Sequence, residues 1–309
     1  MRSLRLYIIG CVVSALLLFV SCAGEQVGHS DQGGASDSLS VANSFYNAPK
    51  SPKSSSGNKN NNQQKSRGDA ICSHSRNKGK LYRHEHYSLS YSEEDEQAEW
   101  VAYELTRDEL YGNAKRQSSF IKDPIIETES ASPYEYQNSG YTRGHLAPAG
   151  DMKFDYMAMK ECFFTSNISP QTQKFNSGCW NDLEMQVRYW AKRFNRVYVV
   201  TGPVLTDKGL EKITYLDSRD QEKKGHVTIP KRFYKIIYDF SYEGKEKMIA
   251  FVIPQEGSGR DYFKYATTVD EVEEMTGIDF FTNLSNAEES RLEGTFDVSQ
   301  WPKYDNPYN

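Results

Sequence analysis

The chain is 309 residues long and carries 37 Lys and Arg against 42 Asp and Glu, a formal net charge of −5. That balance excludes a protein that coats nucleic acid through its overall charge, while leaving a locally basic surface open. No internal repeat is present, and no run after the N-terminus is apolar and long enough for a membrane-spanning helix.

In chain order, Met1–Val20 places Arg2 and Arg5 ahead of the apolar stretch Leu6–Val20, which is short for a membrane span. It reads as an export signal over residues 1–21. Phe19-Val20-Ser21-Cys22 fits a lipoprotein-type cleavage site with Cys22 as the lipidated first residue, and an ordinary secretory signal cut near Ala23 is the alternative. Residues 22–70 are rich in Ser, Asn, Gly, Gln and Lys, including the tract Asn58–Gln64, and are expected to form a disordered tether. These ends predict an exported, membrane-anchored bacterial lipoprotein, periplasmic or at the cell surface. Residues 71–309 are long enough for one domain. They retain Cys72, Cys162 and Cys179, so at least one thiol lacks a partner in the chain, and a Cys162–Cys179 disulfide stays open.

Within that domain, Met157–Glu161 and Trp180–Phe194 read as helices, the second through Trp180, Leu183, Val187, Trp190 and Ala191 at three- and four-residue intervals. Arg196–Val200, Arg232–Asp239 and Lys247–Ile253 have the β-branched and aromatic content of strands, and Thr268–Met275 reads as a further helix. The expected class is α+β, a mixed central sheet flanked by helices, with functional groups at strand ends and helix starts.

The chemistry concentrates between Tyr141 and Arg196, where eight Lys or Arg face five Asp or Glu. Tyr141–Pro148 reads Tyr-Thr-Arg-Gly-His-Leu-Ala-Pro and is followed by Ser166–Gln171, then by Asn176, Trp180 and Glu184. A neutral histidine beside an arginine can activate water next to a phosphate, and an asparagine and a glutamate one helix later can hold a hydrated Mg²⁺. At 100° per residue Glu184 lies about 40° around the helix from Trp180, and Asn176 falls at its N-terminal edge, so both can approach one cation. The bland alternative caps the helix with Asn176 and pairs Glu184 with Arg188 at i+4. Trp180 is expected to anchor the core. A zinc site from Cys72, His74, His84 and His86 matches no recognised spacing, so these are expected to be exposed polar residues, and His226 is placed in a surface loop.

These residues resemble the DNA/RNA non-specific endonuclease family, whose members carry a ββα-metal (His-Me finger) site. The family's Asp-Arg-Gly-His signature is matched by Thr142-Arg143-Gly144-His145, with Thr142 in place of the aspartate. Its Asn-x-x-Pro-Gln segment is matched by Asn167–Gln171, its metal-binding asparagine by Asn176 and its metal-shell glutamate by Glu184. Arg116, ahead of Phe120 and Asp123-Pro124, best matches the upstream arginine. Further similarity extends the resemblance over roughly residues 82 to 301. It implies a sugar-non-specific nuclease acting on DNA and RNA, with Mg²⁺, or Mn²⁺ in its place, and 5′-phosphate products. In that scheme His145 is the general base, Arg143 and Arg116 contact phosphate, and Asn167 orients His145 or its loop. Asn176 binds the metal, Glu184 acts through metal-bound water, and Thr142 and Gln171 support the site. The rival is a surface nucleic-acid-binding protein whose catalysis is weakened by Thr142.

Overall fold

The computed structural model describes residues 72–74, without their side chains, and residues 79–304. The expected signal at 1–21, the Cys22 lipidation site and most of the expected tether lie outside these residues. Thirteen strands are present among the described residues: β1 Cys72–His74, β2 Lys80–Arg83, β3 Ser88–Ser92, β4 Gln97–Thr106, β5 Thr142–His145, β6 Ile168–Gln171, β7 Arg196–Pro203, β8 Glu211–Leu216, β9 Glu222–Ile229, β10 Arg232–Asp239, β11 Lys247–Pro254, β12 Ala266–Thr267 and β13 Ile278–Phe280. The principal helices are α1 Tyr156–Glu161, α2 Asn181–Phe194, α3 Val269–Thr276 and α4 Asn286–Glu293. Seven strands form one antiparallel sheet in the order β12-β11-β10-β7-β4-β3-β2. The α+β expectation holds.

Both faces of this sheet are covered, which explains why its inner strands read as almost continuous apolar runs. Alternation sends Phe233 and Ile237 of β10 to the face packed by Leu183, Val187, Trp190 and Ala191 of α2. Tyr234 and Ile236 point the other way, into a second core with Val269 and Val272 of α3 and Leu292 of α4. Trp180 is fully buried, stacked on Phe175 with ring centroids 5.3 Å apart and 5.7 Å from Phe233. It is the expected core anchor, and truncating it to alanine would cost about 3–5 kcal/mol.

The long helix expected from Trp180 starts at Asn181. Before it, Asn176–Trp180 form a π-helical turn in which Gly178 (φ −107°, ψ −115°) leaves the helical path. The extra residue in such a turn shifts the side chains ahead of it relative to those of the helix that follows. Beyond the last strands, residues 301–304 strap the far side of α2. Trp190 Nε1 and Gln186 Nε2 donate to Pro302 O at 2.9 and 3.0 Å, and Trp301 meets Trp190 edge-on at 4.8 Å.

One open question closes and two expectations change. Cys162 and Cys179 are free thiols, both buried: the Cys162 thiol donates to Met159 O at 3.2 Å at the end of α1, and Cys179 sits in the π-helical turn. Burial pushes their thiols up, to about 12 and about 11. His84 and His86 are not solvated. His84 Nε2 lies 2.8 Å from Asp123 Oδ2 and His86 Nδ1 2.9 Å from Glu161 Oε2, so each ring meets its own carboxylate. His226 lies on β9 instead of in a loop, with its backbone N–H donating to Glu135 Oε2 at 2.6 Å.

Candidate active site

Strands β5 and β6 pair antiparallel in the register Thr142↔Gln171, Arg143↔Pro170, Gly144↔Ser169 and His145↔Ile168. A Cβ at Gly144 would come within 2.2 Å of the Gln171 side chain, so only glycine lets the two strands close there. With α2 they complete the ββα unit. Arg116, Arg143, His145, Asn176 and Glu184, all named from the sequence, line one cavity of about 400 Å³, joined by Lys153, Asn181 and Arg188. Four basic side chains thus face one carboxylate, a locally positive pocket on a net acidic chain.

His145 is 8% exposed, with its ring packed by Phe163 edge-on at 4.9 Å and by Phe120 at 5.4 Å. Its Nε2 is buried without a hydrogen-bond partner among the described residues, which leaves Nδ1 as the nitrogen reachable from the cavity. Burial, and then the Arg116 guanidinium, push the imidazole down to about 3. It is therefore neutral at pH 7 and able to accept a proton.

Asn167 is fully buried and does not line the cavity. Its Oδ1 accepts the Ala147 N–H at 2.9 Å, and its Nδ2 donates to Ala147 O at 3.0 Å and Cys162 O at 2.8 Å. It fixes the loop that follows His145, a positioning role. Arg143 is aimed by Pro133 O, which accepts from its Nε and Nη2 at 3.1 and 2.6 Å. Arg116 is exposed and lies 4.9 Å from the centre of the Phe163 ring, at the cavity's rim.

The Thr142 hydroxyl donates to Gln171 O at 2.9 Å, so its oxygen can accept only with a lone pair. Asn176 Nδ2 donates to that oxygen at 3.0 Å. The relay fixes the amide's orientation and leaves Asn176 Oδ1 with no donor among the described residues. Gln171 contributes its backbone oxygen, while its side-chain amide is buried and unpartnered.

Glu184 is not tied up by Arg188. Arg188 Nη1 instead meets Asp151 Oδ1 at 2.8 Å, and the Tyr103 hydroxyl donates to Asp151 Oδ2 at 2.8 Å. Burial pushes the Glu184 carboxyl up to about 7, against the pull of Arg188 and Lys235. Lys235 is 1% exposed: its Nζ donates to Thr201 Oγ1 at 3.1 Å and lies 4.6 Å from the centre of the Trp180 ring. Burial lowers its ammonium's pKa while Glu184 raises it. Asp151, Tyr103 and Lys235 escaped the sequence reading. A lysine flanked by Phe233 and Ile237 on the buried face of β10 is the signal that could have found one of them.

The family model for DNA/RNA non-specific endonuclease matches residues 68–287. The chain belongs to the DNA/RNA non-specific endonuclease family. Among relatives in this family, the Xenopus laevis mitochondrial nuclease EXOG is 37% identical over 209 residues, covering 64% of this chain and 57% of its own length. Human mitochondrial endonuclease G is 28% identical, covering 65% and 69%. The solved EndoG/EndoGI complex, described as showing the mechanism of EndoG inhibition, has a TM-score of 0.56 at 30% identity over 66% of this chain and 86% of that one.

These relatives correct the expected compartment. They are mitochondrial nucleases, which overturns the placement as a periplasmic or surface lipoprotein. Arginines before a short apolar run do not specify a single compartment. Among the described residues no helix is long and apolar enough to cross a membrane.

Among the described residues, two side-chain groups are close enough to share a cation, Glu85 with His86 and Glu161, and Asp270 with Glu273 and Glu293. Neither group lines the cavity.

Proposed function

We propose that residues 71–309 are a Mg²⁺-dependent endonuclease that hydrolyses phosphodiester bonds of DNA and RNA without sequence preference and leaves 5′-phosphate ends. The observation that carries this reading is the convergence on one cavity of a neutral, buried His145 and an Asn176 whose amide oxygen is turned away from its own hydrogen-bond partner. The residues fit the divalent cation the family resemblance implies. Asn176 Oδ1 is a hard oxygen donor without a partner, and Glu184 stands close enough to act through water, a sparse set suited to an ion that keeps its hydration. When bound, the ion would supply charge neutralisation at a non-bridging phosphate oxygen and at the departing 3′ oxygen.

The chain's own groups do the rest. His145 accepts the proton of the attacking water at Nδ1. An imidazole this weakly basic gains proton affinity when a phosphate brings negative charge between it and Arg116. Arg143, held by Pro133 O, and Arg116 bind phosphate oxygens and stabilise charge as it develops on them. Glu184 orients water by accepting its hydrogen bonds. Thr142 holds the Asn176 amide through a neutral relay, which supports catalysis over a weakened binding module. Incubating the purified chain with plasmid DNA and with RNA, in Mg²⁺ or in EDTA, tests the reading. Metal-dependent nicking of both, with 5′-phosphate ends, is expected; binding without cutting would replace it with the binding module.

A further inference from the structure

On the opposite side of the sheet from α2, three carboxylates meet between two helices. Asp270 and Glu273 come from α3 and Glu293 is the last residue of α4, and one ligating oxygen of each lies within 4.8 Å of the other two. Exposure is graded inward: Asp270 is exposed, Glu273 half-buried and Glu293 only 2% exposed. Glu273 Oε1 accepts the Phe280 N–H at 2.7 Å, which binds α3 to β13. Glu293 Oε1 is buried and has no hydrogen-bond partner among the described residues.

An unpartnered carboxylate oxygen is costly to bury, and the charged groups acting most strongly on Glu293 are acids: Glu273, Glu289, Asp270 and Asp279. Burial first, and these neighbours second, push Glu293 up to about 9, while Glu273 is raised to about 7 chiefly by burial. Such a group must take either a proton or a cation. Two oxygens on one ion can be no farther apart than twice the metal–oxygen distance, about 4.8 Å for Ca²⁺, whose larger and more flexible all-oxygen shell accepts several carboxylates where Mg²⁺ prefers to keep its waters. The spacing admits Ca²⁺, and the exposed Asp270 side leaves room for waters to complete its shell. The other cluster is different in kind: the Glu161 oxygen already accepts from His86 Nδ1 and from the His86 backbone N–H, so that acid is satisfied.

We propose that Asp270, Glu273 and Glu293 form a binding site for a hard divalent cation of the Ca²⁺ class, separate from the cavity, that clamps α4 to α3. The test is thermal unfolding of the full chain in EDTA and in CaCl₂. Ca²⁺ at about ten times its dissociation constant should raise the parent's melting temperature by roughly 3–6 °C. Glu293→Gln, which keeps the shape and drops the charge, should lose that shift while melting in EDTA at or above the parent. Asp270→Asn, an exposed change, should weaken the Ca²⁺ response if Glu293→Gln does not fold. Asn176→Ala, which removes the cavity's own cation ligand, should keep a Ca²⁺ shift that Glu293→Gln, added to it, then abolishes. An equal Ca²⁺ shift in parent and both acid variants, or none in the parent, would overturn the site and leave three acids that share a proton. A full shift with MgCl₂ in place of CaCl₂ would overturn the Ca²⁺-class assignment.

Discussion

Glu184 in the cavity sits among Arg188, Lys235 and Arg116, with Asp151 opposing them, whereas the charged groups that act most on Glu293 between α3 and α4 are all carboxylates. Glu184 is held at about 7 and Glu293 rises to about 9, although both are raised chiefly by burial. The cavity supplies fixed counter-charges from α2, from β10 and from the loop that carries Arg116, so its acid is poised to ionise near neutrality without help. The helix pair's one basic side chain, Arg291, is turned to Glu246 at 3.2 Å, so the acid waits for something from solution. We propose that one region is organised for chemistry on an anion, and the other to gain stability when an ion arrives.

The most damaging change to the cavity should be His145→Ala. It removes the proton acceptor and no phosphate contact, so turnover on plasmid should fall by about two to four orders of magnitude with substrate affinity nearly unchanged. Cutting at the parental rate in saturating Mg²⁺ would sink the proposed chemistry. Asn176→Ala should come next. It removes the oriented amide oxygen, so the Mg²⁺ concentration for half-maximal cutting should rise by about 10- to 100-fold, while Glu293→Gln leaves it unchanged. An equal effect of both variants would erase the distinction between the two regions.

A pH series sharpens the comparison further. The ionised form of Glu184 is the one that orients water, and its carboxyl is raised to about 7, so protons compete with the cation below that point. Half-activating Mg²⁺ should therefore climb as pH falls through 7, by up to about tenfold per pH unit. Lys235→Met removes a cation that draws the Glu184 carboxyl down, so the climb should begin at higher pH. A Lys235→Met profile that superimposes on the parent's would show that the buried ammonium does not govern Glu184. The smallest effect belongs to Thr142→Asp, which adds charge beside a relay that already orients Asn176. Half-saturating Mg²⁺ should drop about two- to fivefold with His145 still required. Lost activity in a folded Thr142→Asp protein would mean that the hydroxyl relay to Gln171 O, and not charge, is what Asn176 needs.

The cavity was legible where its members lie close in sequence. Thr142 to His145 form one strand, Ile168 to Gln171 its partner, and Asn176 and Glu184 flank the start of one helix, and the family resemblance joined these pieces into one site. What supports them was not legible, because it arrives through the sheet: Lys235 comes to act on Glu184 by alternation along β10, and Tyr103 reaches Asp151 across 48 residues. The same physics misplaced His84 and His86, whose carboxylate partners lie 39 and 75 residues away. The strands Arg232–Asp239 and Lys247–Pro254 were readable within a residue because central strands buried on both faces select β-branched and aromatic side chains along their whole length. The π-helical turn before α2 leaves no such pattern: it depends on Gly178 departing from the helical path, and glycine alone does not announce that.

The strap at residues 301–304 ties the carrier of Glu184 to a stretch outside the family match of residues 68–287. In hydrogen-exchange terms, the amides of α2 around Gln186 and Trp190 are expected to open together with the strap, because releasing Pro302 strands two buried donors at once. The protection of that helix is therefore a local free energy set at the far end of the chain, and cleavage just before Trp301 would unlock the helix beneath the cavity while leaving every residue that lines it in place.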